Sequence, residues 1–554
     1  MTRAELGTRV AALPPGLQPY ALAQVRRLCG PPLPPRQRPR PPHVRSPDDE
    51  LLYAQCRTDR ELFARTFFAH WCTTETFSCF HIALCTLANS RVTLRGQRDV
   101  MAAPRGAAKT TWRKINIAHD CVYAHERFIL YLTNRAELSE SHVREIRDEL
   151  EHNPRLLEVY GPQVGSLWNQ AEFITASGVH VLAASRASQV RGLVARGARP
   201  TKVYIDDIEH PDHVLSQRQR AKTAQWFFGD ILKLGQPETN IDVSGTILHP
   251  ESLLSELLAN PGFHGQRYQA VLRYADASAV PLWQQWRTLF LNLADPDRVQ
   301  TARAFFDANA EAMLAGTEVL WPERESYYDL MVMRLVEGET AFQLEKQNEP
   351  RRSTRTLFAM DEAGYCTLQP QGLRRTDGVS VAYSDLVDLA AFYDPTPDKQ
   401  SPTGDTAACV VLGKDAQGFV YVLDAYVAVE PSTDAQLDAI VALLWAWQVP
   451  RLGLESNGFQ SLLAGQLQQK LAAKAQAEGV PWSVLLVPVH NSRNKVLRIR
   501  SLEAPIVNRW LWFADTVSGE LLRQFREFIP LDNAGRDDAP DATEGAWRVL
   551  QQLV

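Results

Sequence analysis

The stretch VYIDDIEH, residues 203–210, decides the fold of the first half of the chain. An apolar run ends there on three acids, Asp206, Asp207 and Glu209. Their mutual repulsion makes this arrangement costly unless a cation or a buried partner lies beside them. A solvated strand end is the plain alternative, because short motifs often match by chance. The octet therefore predicts a buried strand with an acidic carboxyl end, and other segments must decide its chemistry.

Helices and strands alternate on both sides of this octet, from about residue 50 to residue 260. Such alternation indicates a parallel sheet with helical crossovers, in which ligands lie beyond the carboxyl ends of the strands. Apolar periodicity predicts strands at 98–104, 127–133, 179–184, 202–205 and 240–248, and helices at 61–71, 110–125 and 137–153.

A second pattern begins near residue 385, after a mostly helical stretch at 260–350. It contains a strand at 386–394, a hairpin around KDAQG (414–418), a helix at 432–447 and a strand at 450–456. These elements indicate a second α/β domain of ordinary size. The chain is thus predicted to have four parts: a tail at 1–47, an α/β domain with a helical subregion at 48–350, a linker at 351–384 and a second α/β domain at 385–554.

The composition is that of a globular protein: 45% of the 554 residues are hydrophobic, 22% are charged, and the net charge is −5. This balance excludes a polycation, so any nucleic-acid contact must come from local basic patches. The longest apolar run, AIVALLWAW at 439–447, is shorter than the roughly 20 residues of a membrane span, so we expect a soluble protein without a membrane partner. The tail is rich in Pro and Arg. It is either a flexible solvated segment or a contact for nucleic acid or another partner.

The segment MAAPRGAAKTTW, residues 101–112, lies between the first strand and its helix. A phosphate-binding loop has the pattern GxxxxGK[ST] at this place: its glycines let the backbone approach phosphates, its Lys adds a point charge, and its hydroxyl binds magnesium. Lys109 and Thr110 fit the pattern, whereas Ala103 and Ala108 replace its glycines and Gly106 lies inside the loop. Taken alone the segment is a weak match, because helices often begin with Lys-Thr.

The acids of the opening octet strengthen the phosphate-loop prediction. A strand that ends in carboxylates, downstream in the same sheet, is what a nucleotide-bound magnesium ion requires. Asp206 would hold the ion, directly or through water, and either Asp207 or Glu209 would orient the attacking water. Together with the loop, these acids predict an NTPase. The next strand ends in a candidate sensor of the γ-phosphate, formed by Ser244, Gly245 and Thr246.

A second set of acids occurs in the second α/β domain. Asp394 ends one predicted strand, Glu455 ends another, and Asp537, Asp538 and Asp541 open the last helix. Acids from separate elements of one domain can converge on two metal ions, which stabilise the attacking and leaving oxygens of phosphodiester hydrolysis. Each acid alone is also compatible with a helix cap or a solvated end, and Asp537 in particular suits a cap. The order of the elements favours a nuclease.

At this point the chain, from about residue 50 to 554, resembles the large terminase subunit of tailed double-stranded DNA phages. APRGAAKTT (103–111) resembles the family's deviant phosphate loop, and the stretch at 190–209 resembles its Arg- and Gly-containing approach to the acidic strand. The resemblance implies an N-terminal P-loop ATPase domain and a C-terminal nuclease domain of RNase H-like fold. Further similar segments are SGT (244–246) to the coupling motif, FQLEKQNEP (342–350) to the inter-domain stretch, and NSRNKVLRI (491–499) and DDAPDA (537–542) to the late nuclease segments.

The resemblance also implies roles for individual residues of the ATPase domain. Arg105 becomes an arginine finger supplied by the same chain, which stabilises transition-state charge. The catalytic glutamate position falls on Asp207, a shorter acid, so Glu209 stays a rival for positioning the water. His81, within FSCFHIAL (77–84), replaces the usual Gln of the adenine pocket, and a buried core role is its alternative. The implied nucleotide-binding residues are His81, Arg105, Gly106, Ala107, Ala108, Lys109, Thr110 and Thr111, with Thr110 and Asp206 at magnesium.

In the nuclease domain, the resemblance matches Asp394, Glu455 and Asp538 to the acidic triad that binds metal and cuts DNA. Asp541 would be a helper at the metal site. Lys495 and Arg498 lie beside these acids in the sequence and would either hold DNA phosphates or form a solvated helix face.

The implied function is ATP-driven translocation of double-stranded DNA into a procapsid, together with cutting of concatemeric DNA by a two-metal nuclease. The implied cofactors are ATP and Mg²⁺, with Mn²⁺ as a substitute at the nuclease site. The implied partners are double-stranded DNA, the portal protein, the small terminase subunit and further copies of the chain in a ring. The chain would act in the cytoplasm of the infected bacterial host and transiently on the procapsid. A helicase-nuclease of DNA repair or defence, and a non-enzymatic scaffold or DNA-binding adaptor with degenerate sites, remain as alternatives.

Overall fold

The structure is a computed structural model, and its described residues exclude most of the predicted tail. Only 43–47 of that tail are described, and residues 351–355 of the predicted linker also lie outside the described part. For 460–462 the backbone alone is described. The described ranges are 43–188, 190–195, 197–350, 356–395, 406–429, 432–455, 460–491, 493–530 and 536–552.

Residues 43–267 build an eight-stranded sheet with helices. In chain order the elements are α1 (Pro47–Cys56), α2 (Arg60–Phe67), α3 (Cys79–Thr93), β1 (Arg98–Ala102), α4 (Lys109–Val122), β2 (Phe128–Thr133), α5 (Ala136–His152), α6 (Pro154–Tyr160), β3 (Val164–Trp168), β4 (Glu172–Thr175), β5 (His180–Ser185), β6 (Lys202–Asp206), α7 (Pro211–Val214), α8 (Gln217–Gly229), β7 (Asn240–Gly245), α9 (Leu253–Ala259) and β8 (His264–Arg267). The strand order is β3-β4-β5-β2-β6-β7-β1-β8. The pairs β3–β4 and β4–β5 are antiparallel, and the other pairs are parallel.

This sheet is covered on both faces, as its sequence requires. Side chains of a strand alternate between faces, and both sets are buried in β2. Ile129 and Tyr131 belong to one apolar core, whereas Leu130 and Leu132 belong to a second. A strand buried on both faces reads as a continuous apolar run, which explains why FILYLT was predictable from the sequence.

The carboxyl ends of the central strands meet at one edge of the sheet. The register pairs Ala102 of β1 with Gly245 of β7, and Asp206 of β6 with Ser244 of β7. The predicted phosphate loop, the acidic strand end and the SGT segment therefore lie side by side. The parallel α/β fold predicted for this part of the chain is confirmed.

Three strands of the first sheet were not predicted. β3 and β4, at 164–175, pair antiparallel at one edge, and β8, at 264–267, forms the opposite edge. All four residues of β8 are exposed. The edge strands β3 and β8 have half-exposed or exposed side chains and lack the apolar run on which the sequence prediction depended, and β4, although mostly buried, is only four residues long.

Residues 271–345 are mostly helical, as predicted. Their elements are β9 (Val271–Arg273), α10 (Val280–Leu291), α11 (Arg298–Met313), β10 (Glu318–Val319), α12 (Tyr327–Glu337) and α13 (Glu339–Glu345). β9 and β10 form a small antiparallel sheet that was not predicted. The helices pack around a separate aromatic core made of Trp286, Phe290, Phe306, Met313 and Tyr328.

Residues 364–551 form a second sheet of nine strands. Its elements are β11 (Gly364–Gln369), β12 (Gly372–Arg375), β13 (Ser380–Ala382), β14 (Leu386–Asp394), β15 (Ala407–Asp415), β16 (Val420–Ala428), α14 (Thr433–Ala446), β17 (Arg451–Glu455), α15 (Gln460–Glu478), β18 (Leu485–Val489), α16 (Lys495–Arg500), α17 (Glu503–Val507), β19 (Leu511–Ala514), α18 (Gly519–Glu527) and α19 (Asp538–Gln551). Within the described ranges, short 3₁₀ turns lie at Ala69–Trp71, Ile231–Lys233, Ala277–Ala279 and Tyr383–Asp385.

The core of this sheet has RNase H-like topology. Its strands run in the order β16-β15-β14-β17-β18, and β15 is antiparallel to the other four. Numbered along the chain, this is the order 3-2-1-4-5. The RNase H-like α/β fold expected for the second half of the chain is confirmed.

The predicted linker at 351–384 differs from the structure. Three strands at 364–382 form an antiparallel ribbon, and β11 pairs with β19, so this segment extends the second sheet. Polar residues occupy many positions of the ribbon, which is why its sequence looked like a linker. Within the part of the chain that the structure describes, no helix combines the length and the apolar character of a membrane span.

Candidate nucleotide and metal sites

The predicted phosphate loop connects β1 to the first turn of α4. Lys109 begins α4 and is buried. Its Nζ donates to the carbonyl oxygens of Ala103 and Pro104, both at 3.1 Å, and to Thr246 Oγ1 at 3.0 Å. The ammonium group is therefore held inside the loop, beside the start of a 14-residue helix whose free amides favour an anion.

Ala108 takes the backbone conformation that a glycine normally supplies. Its φ is +58° and its ψ is +26°, a left-handed conformation just before Lys109. A residue with a Cβ tolerates this conformation at a cost of about 1–2 kcal/mol. Gly106 also has a positive φ, of 89°. The loop thus keeps the left-handed backbone conformation before Lys109 although the usual glycine is missing.

Asp206 is buried at the end of β6, and both of its carboxylate oxygens accept hydrogen bonds. Thr110 Oγ1 donates to its Oδ2 at 2.6 Å, and Tyr131 Oη donates to the same atom at 3.2 Å. Ser244 Oγ donates to its Oδ1 at 2.8 Å and itself accepts from Arg113 Nε at 3.1 Å. The hydroxyl and the carboxylate that the sequence assigned to magnesium are thus in direct contact.

The two rival acids lie in different environments. Asp207 has a φ of +44° and lines a cavity of about 310 Å³ with the phosphate loop. Desolvation by the cavity walls raises the pKa of Asp207, the charge of Lys109 lowers it, and the charge of Asp206 raises it again. Glu209 instead accepts from the amides of Leu253 and Leu254, at 2.8 and 3.1 Å, and so caps α9.

The three residues predicted to sense the γ-phosphate, Ser244, Gly245 and Thr246, also lie in different surroundings. Ser244 is buried beneath Asp206, and Gly245 accepts through its carbonyl from the amide of Ala103. Thr246 faces the loop, where its hydroxyl accepts from Lys109. The next amide, of Ile247, donates at 2.9 Å to Oδ1 of Asn348 in the segment 342–350.

The segment 342–350 holds the phosphate loop from the other side. Arg105 pairs with Glu345 at 3.0 Å, and its amide donates to the Glu345 carbonyl at 2.9 Å. Lys346 donates to the Arg105 carbonyl at 2.8 Å and to Glu325 at 2.5 Å. The Arg105 side chain is 75% exposed, so it is free to turn once the pair with Glu345 opens.

Aromatic side chains also line the cavity beside the phosphate loop, and His81 is not among the lining residues. Its ring is buried, its Nε2 lies 3.0 Å from the Ala107 carbonyl, and it stacks on Trp112. Burial lowers the pKa of His81 to about 4, and the bond to Ala107 opposes this. A neutral His81 therefore supports the loop from behind. The cavity lining contains Trp71, Phe77, Trp112, Trp321 and Arg324.

The second acidic site begins at two neighbouring strands. β14 and β17 are parallel, with Tyr393 opposite Leu454, so Asp394 and Glu455 end adjacent strands at the same edge. The last helix packs closely on β14, because a Cβ at Gly545 would lie 2.4 Å from Phe392 Cγ.

The last helix delivers Asp538 to this edge. Its Oδ2 accepts from the amide and the hydroxyl of Thr406, both at 2.7 Å, and its Oδ1 accepts from Lys495 at 2.9 Å. Lys495 also pairs with Asp537 at 2.8 Å. Asp537 is the N-cap residue of this helix, as the capping interpretation expects, although its side chain makes no cap hydrogen bond and pairs with Lys495 instead.

Asp541 is tied to a different cation. Arg498 donates to both of its oxygens, with Nη2 at 2.8 and 2.6 Å, and the guanidinium is buried. Glu544 lies 3.9 Å from Arg498 Nε. The interpretation of Lys495 and Arg498 as a solvated helix face is wrong, because both pair with acids of the last helix.

Electrostatics links the acids of this edge. Burial raises the pKa of Asp394 to about 8; the charge of Lys495 opposes this, while the charges of Asp541, Asp538 and Glu455 add to it. A strongly raised pKa caused by burial and neighbouring like charges is typical of a functional carboxylate. The four acids therefore form one interacting cluster.

Several residues of these sites were missed in the sequence. Thr406, Lys346 and Trp321 lie far along the chain from the groups that they contact, so no spacing rule points to them. Phe77 lies within the segment 77–84 that was predicted to form the adenine pocket. The aromatic residues of that segment were the one sequence feature that could have pointed to it.

Among known proteins, the chain is similar to solved structures. No protein-family model and no curated protein matches the chain. The large terminase of a thermophilic bacteriophage is 8% identical with a TM-score of 0.43, over 86% of this chain and 100% of that one. The complex of that phage's large terminase with ADP is 9% identical with a TM-score of 0.45, over 84% and 98%. The human cytomegalovirus terminase nuclease domain, Mn-soaked and inhibitor-bound, is 12% identical with a TM-score of 0.24, over 30% and 85%.

Proposed function

We propose that this chain is a large terminase subunit, a motor that couples ATP hydrolysis to movement of double-stranded DNA and cuts that DNA. The observation that supports this best is the presence of two distinct sites in one chain. One is a phosphate loop whose Thr110 contacts Asp206. The other is an acidic cluster on an RNase H-like sheet. The boundaries 48–350 and 356–552 would separate the two activities.

In the ATPase site, the residues fit a nucleotide with magnesium. A hydroxyl and a carboxylate oxygen, 2.6 Å apart, are ligands of the kind that Mg²⁺ takes. Thr110 and Asp206 would hold the ion, which when bound offsets phosphate charge. Lys109 and the amides of residues 105–111 would bind the phosphates, and Asp207 would accept a hydrogen bond from the attacking water. The aromatic end of the cavity would receive the base, with His81 supporting the loop.

In the nuclease site, the residues also fit divalent metal ions. Asp394, Glu455 and Asp538 provide oxygen ligands, which suit Mg²⁺ and Mn²⁺. Bound metal would supply charge for phosphodiester cleavage. Lys495 now offsets part of the negative charge of the cluster and would hold a DNA phosphate when it leaves Asp538. Asp541, held by Arg498, would act as a positioning residue.

The partners follow from the same proposal. The chain would bind double-stranded DNA, a portal protein and a small terminase subunit, form a ring on the portal, and work in the cytoplasm of an infected bacterium. The deciding experiment measures ATPase and nuclease activity with and without purified procapsids that carry a portal. Stimulated ATPase and protected DNA inside the procapsid support the motor. DNA unwinding without a portal would favour a helicase-nuclease, and no ATP turnover under any condition would favour an adaptor.

We expect the amide variants of Asp207 and Glu209 to differ in ATP turnover and in stability. Asp207→Asn should lose ATP hydrolysis but still bind ATP, because the acid faces the cavity. Glu209→Gln should retain turnover and lose about 1 kcal/mol of stability, because it weakens a helix cap. ATP turnover, binding of a fluorescent nucleotide and melting temperature give the three readouts. Normal turnover in Asp207→Asn, combined with loss in Glu209→Gln, would reverse the assignment.

Arg105 should act on the transition state. Arg105→Ala is expected to lower kcat by about 10³-fold or more while ATP affinity changes little. Glu345→Gln is the matched control, because it removes the partner that holds Arg105 in this structure. The pair is exposed and is worth at most about 1 kcal/mol, so kcat should change less than about fivefold. Equal kcat in Arg105→Ala and the parent would remove Arg105 from the site.

A further inference from the structure

Two histidines and an aspartate converge at the end of α4, away from both sites described above. Ligand atoms of His119, Asp120 and His125 lie within 4.8 Å of one another. His119 and Asp120 are in the last turn of the helix, and Ala124, with a φ of +52°, turns the chain back so that His125 returns beside them. Among the described residues, this is the one group of three such side chains with so close a spacing.

The hydrogen bonds of His119 fix which ring nitrogen is available. Its Nε2 lies 2.8 Å from the carbonyl oxygen of Cys56, which only accepts, so Nε2 carries the proton. Nδ1 of the neutral ring is then a bare acceptor, fully buried and without a hydrogen-bond partner. A carbonyl that fixes one imidazole nitrogen while the other faces a metal is the usual support of a histidine ligand.

His125 also has a buried ring nitrogen without a hydrogen-bond partner. Its side chain is 7% exposed, and its Nδ1 also has no hydrogen-bond partner. That atom lies 3.6 Å from Asp120 Oδ1, too far for a good hydrogen bond. Two ligands of one tetrahedral zinc ion, with bonds of about 2.0–2.1 Å, lie about 3.3 Å apart. The spacing therefore suits two ligands of one ion better than a direct bond.

We propose that His119, Asp120 and His125 form a binding site for a divalent transition-metal ion, with Zn²⁺ the best fit. Two imidazoles and one carboxylate favour zinc, cobalt or nickel over magnesium. Arg60 Nη2 donates at 2.5 Å to Asp120 Oδ1, the oxygen that also faces His125, and Tyr204 Oη donates at 3.2 Å to Oδ2. This guanidinium already offsets the only acid of the set, so the affinity should be micromolar rather than that of a closed structural zinc site.

The test uses the full-length protein, stripped with chelator and then equilibrated with micromolar Zn²⁺ in millimolar Mg²⁺. Magnesium competes for the carboxylate sites, and zinc bound there is the same in the wild type and the variant, so the difference in zinc between them reports on the imidazole ligands. The variant is His125→Ala, because this residue lies at the edge of the cluster. Asp120→Asn is avoided, because it would break the buried pair with Arg60 and destabilise the fold. His264→Ala, an exposed histidine on β8, is the matched control.

The wild type and His264→Ala should each bind one Zn²⁺ more per chain than His125→Ala, measured by elemental mass spectrometry after dialysis against the same Zn²⁺- and Mg²⁺-containing buffer, with the zinc of the buffer subtracted. Zn²⁺ should raise the melting temperature of the first two and not of the third, and Co²⁺ should give visible absorption bands in the same pattern. Equal zinc content and equal melting shifts in the wild type and His125→Ala would overturn the proposal and leave an ordered water as the occupant of the cluster.

Discussion

Lys109→Ala should abolish ATP hydrolysis and leave metal-dependent DNA cleavage largely intact. The side chain is the cation of the phosphate loop, and its Nζ holds two loop carbonyls and Thr246. Its removal takes away both the charge that a triphosphate needs and the bonds that shape the loop. We expect a loss of at least about 10³-fold in kcat/KM, since a preorganised charge at a phosphoryl group is worth several kcal/mol.

The same substitution also has a structural cost. The carbonyls of Ala103 and Pro104 lose a buried donor, which destabilises the domain by about 1–3 kcal/mol. Retained DNA cleavage by the same sample shows that the second domain is folded, and a melting curve of the variant checks the first domain, which carries Lys109. Lys222→Ala, at an exposed position of α8, is the matched control and should hydrolyse ATP like the parent. Normal turnover in Lys109→Ala would remove the phosphate-loop assignment.

The centre of each sheet could be predicted because burial leaves a pattern in the sequence. Strands such as FILYLT and KVYID are buried on both faces, so their interior is an apolar run that lasts until the strand ends. The acids appear where the chain leaves the sheet. Asp206 and Asp394 were recognisable for this reason, and the parallel order then brought each beside its neighbour.

The edges and the long-range contacts could not be predicted. The ribbon at 364–382 has a mixed polar surface, and its place in the sheet depends on pairing with β19, far along the chain. Glu345 and Lys346 contact the phosphate loop although they too lie far from it along the chain. No local period or spacing encodes such contacts, because they depend on how whole elements pack.

The phosphate loop has Ala108 where the usual pattern has glycine, because the pattern reflects a backbone conformation and not the residue type itself. Glycine is preferred before Lys because the backbone there is left-handed. Ala108 adopts that conformation nevertheless, at a modest cost that the surrounding contacts offset. The missing glycine therefore does not indicate a missing site, and the non-enzymatic interpretation loses its main motive.

Asp394→Asn should abolish DNA cleavage and retain ATP hydrolysis. The amide keeps the shape of the side chain but removes the charge that a metal ion at the end of β14 requires. Glu455→Gln and Asp538→Asn should act in the same direction, because they remove the other two oxygen ligands. Plasmid cleavage and ATP turnover, measured on the same samples, separate the two sites. Asp438→Asn, an exposed acid paired with Lys470, is the matched control and should cut normally.

The pH dependence of stability gives an independent test of the same carboxyl group. Its pKa is raised from 3.8 to about 8 in the folded chain, chiefly by burial, so the folded state holds a proton that the unfolded state releases. This contribution to stability is fully present below about pH 4 and is lost as the pH rises towards 8. Without divalent metal, the melting temperature of the parent should therefore fall over this range more steeply than that of Asp394→Asn.

The two measurements together distinguish a metal site from a merely buried acid. Near pH 8 without metal, Asp394→Asn should melt a few degrees above the parent, because it no longer buries a negative charge among three other acids. Mg²⁺ or Mn²⁺ should stabilise the parent and have a much smaller effect on the variant, since bound metal offsets that repulsion only where the ligand is charged. Cleavage that survives in Asp394→Asn, or a metal-induced shift equal in both proteins, would contradict a two-metal nuclease at this edge of the sheet.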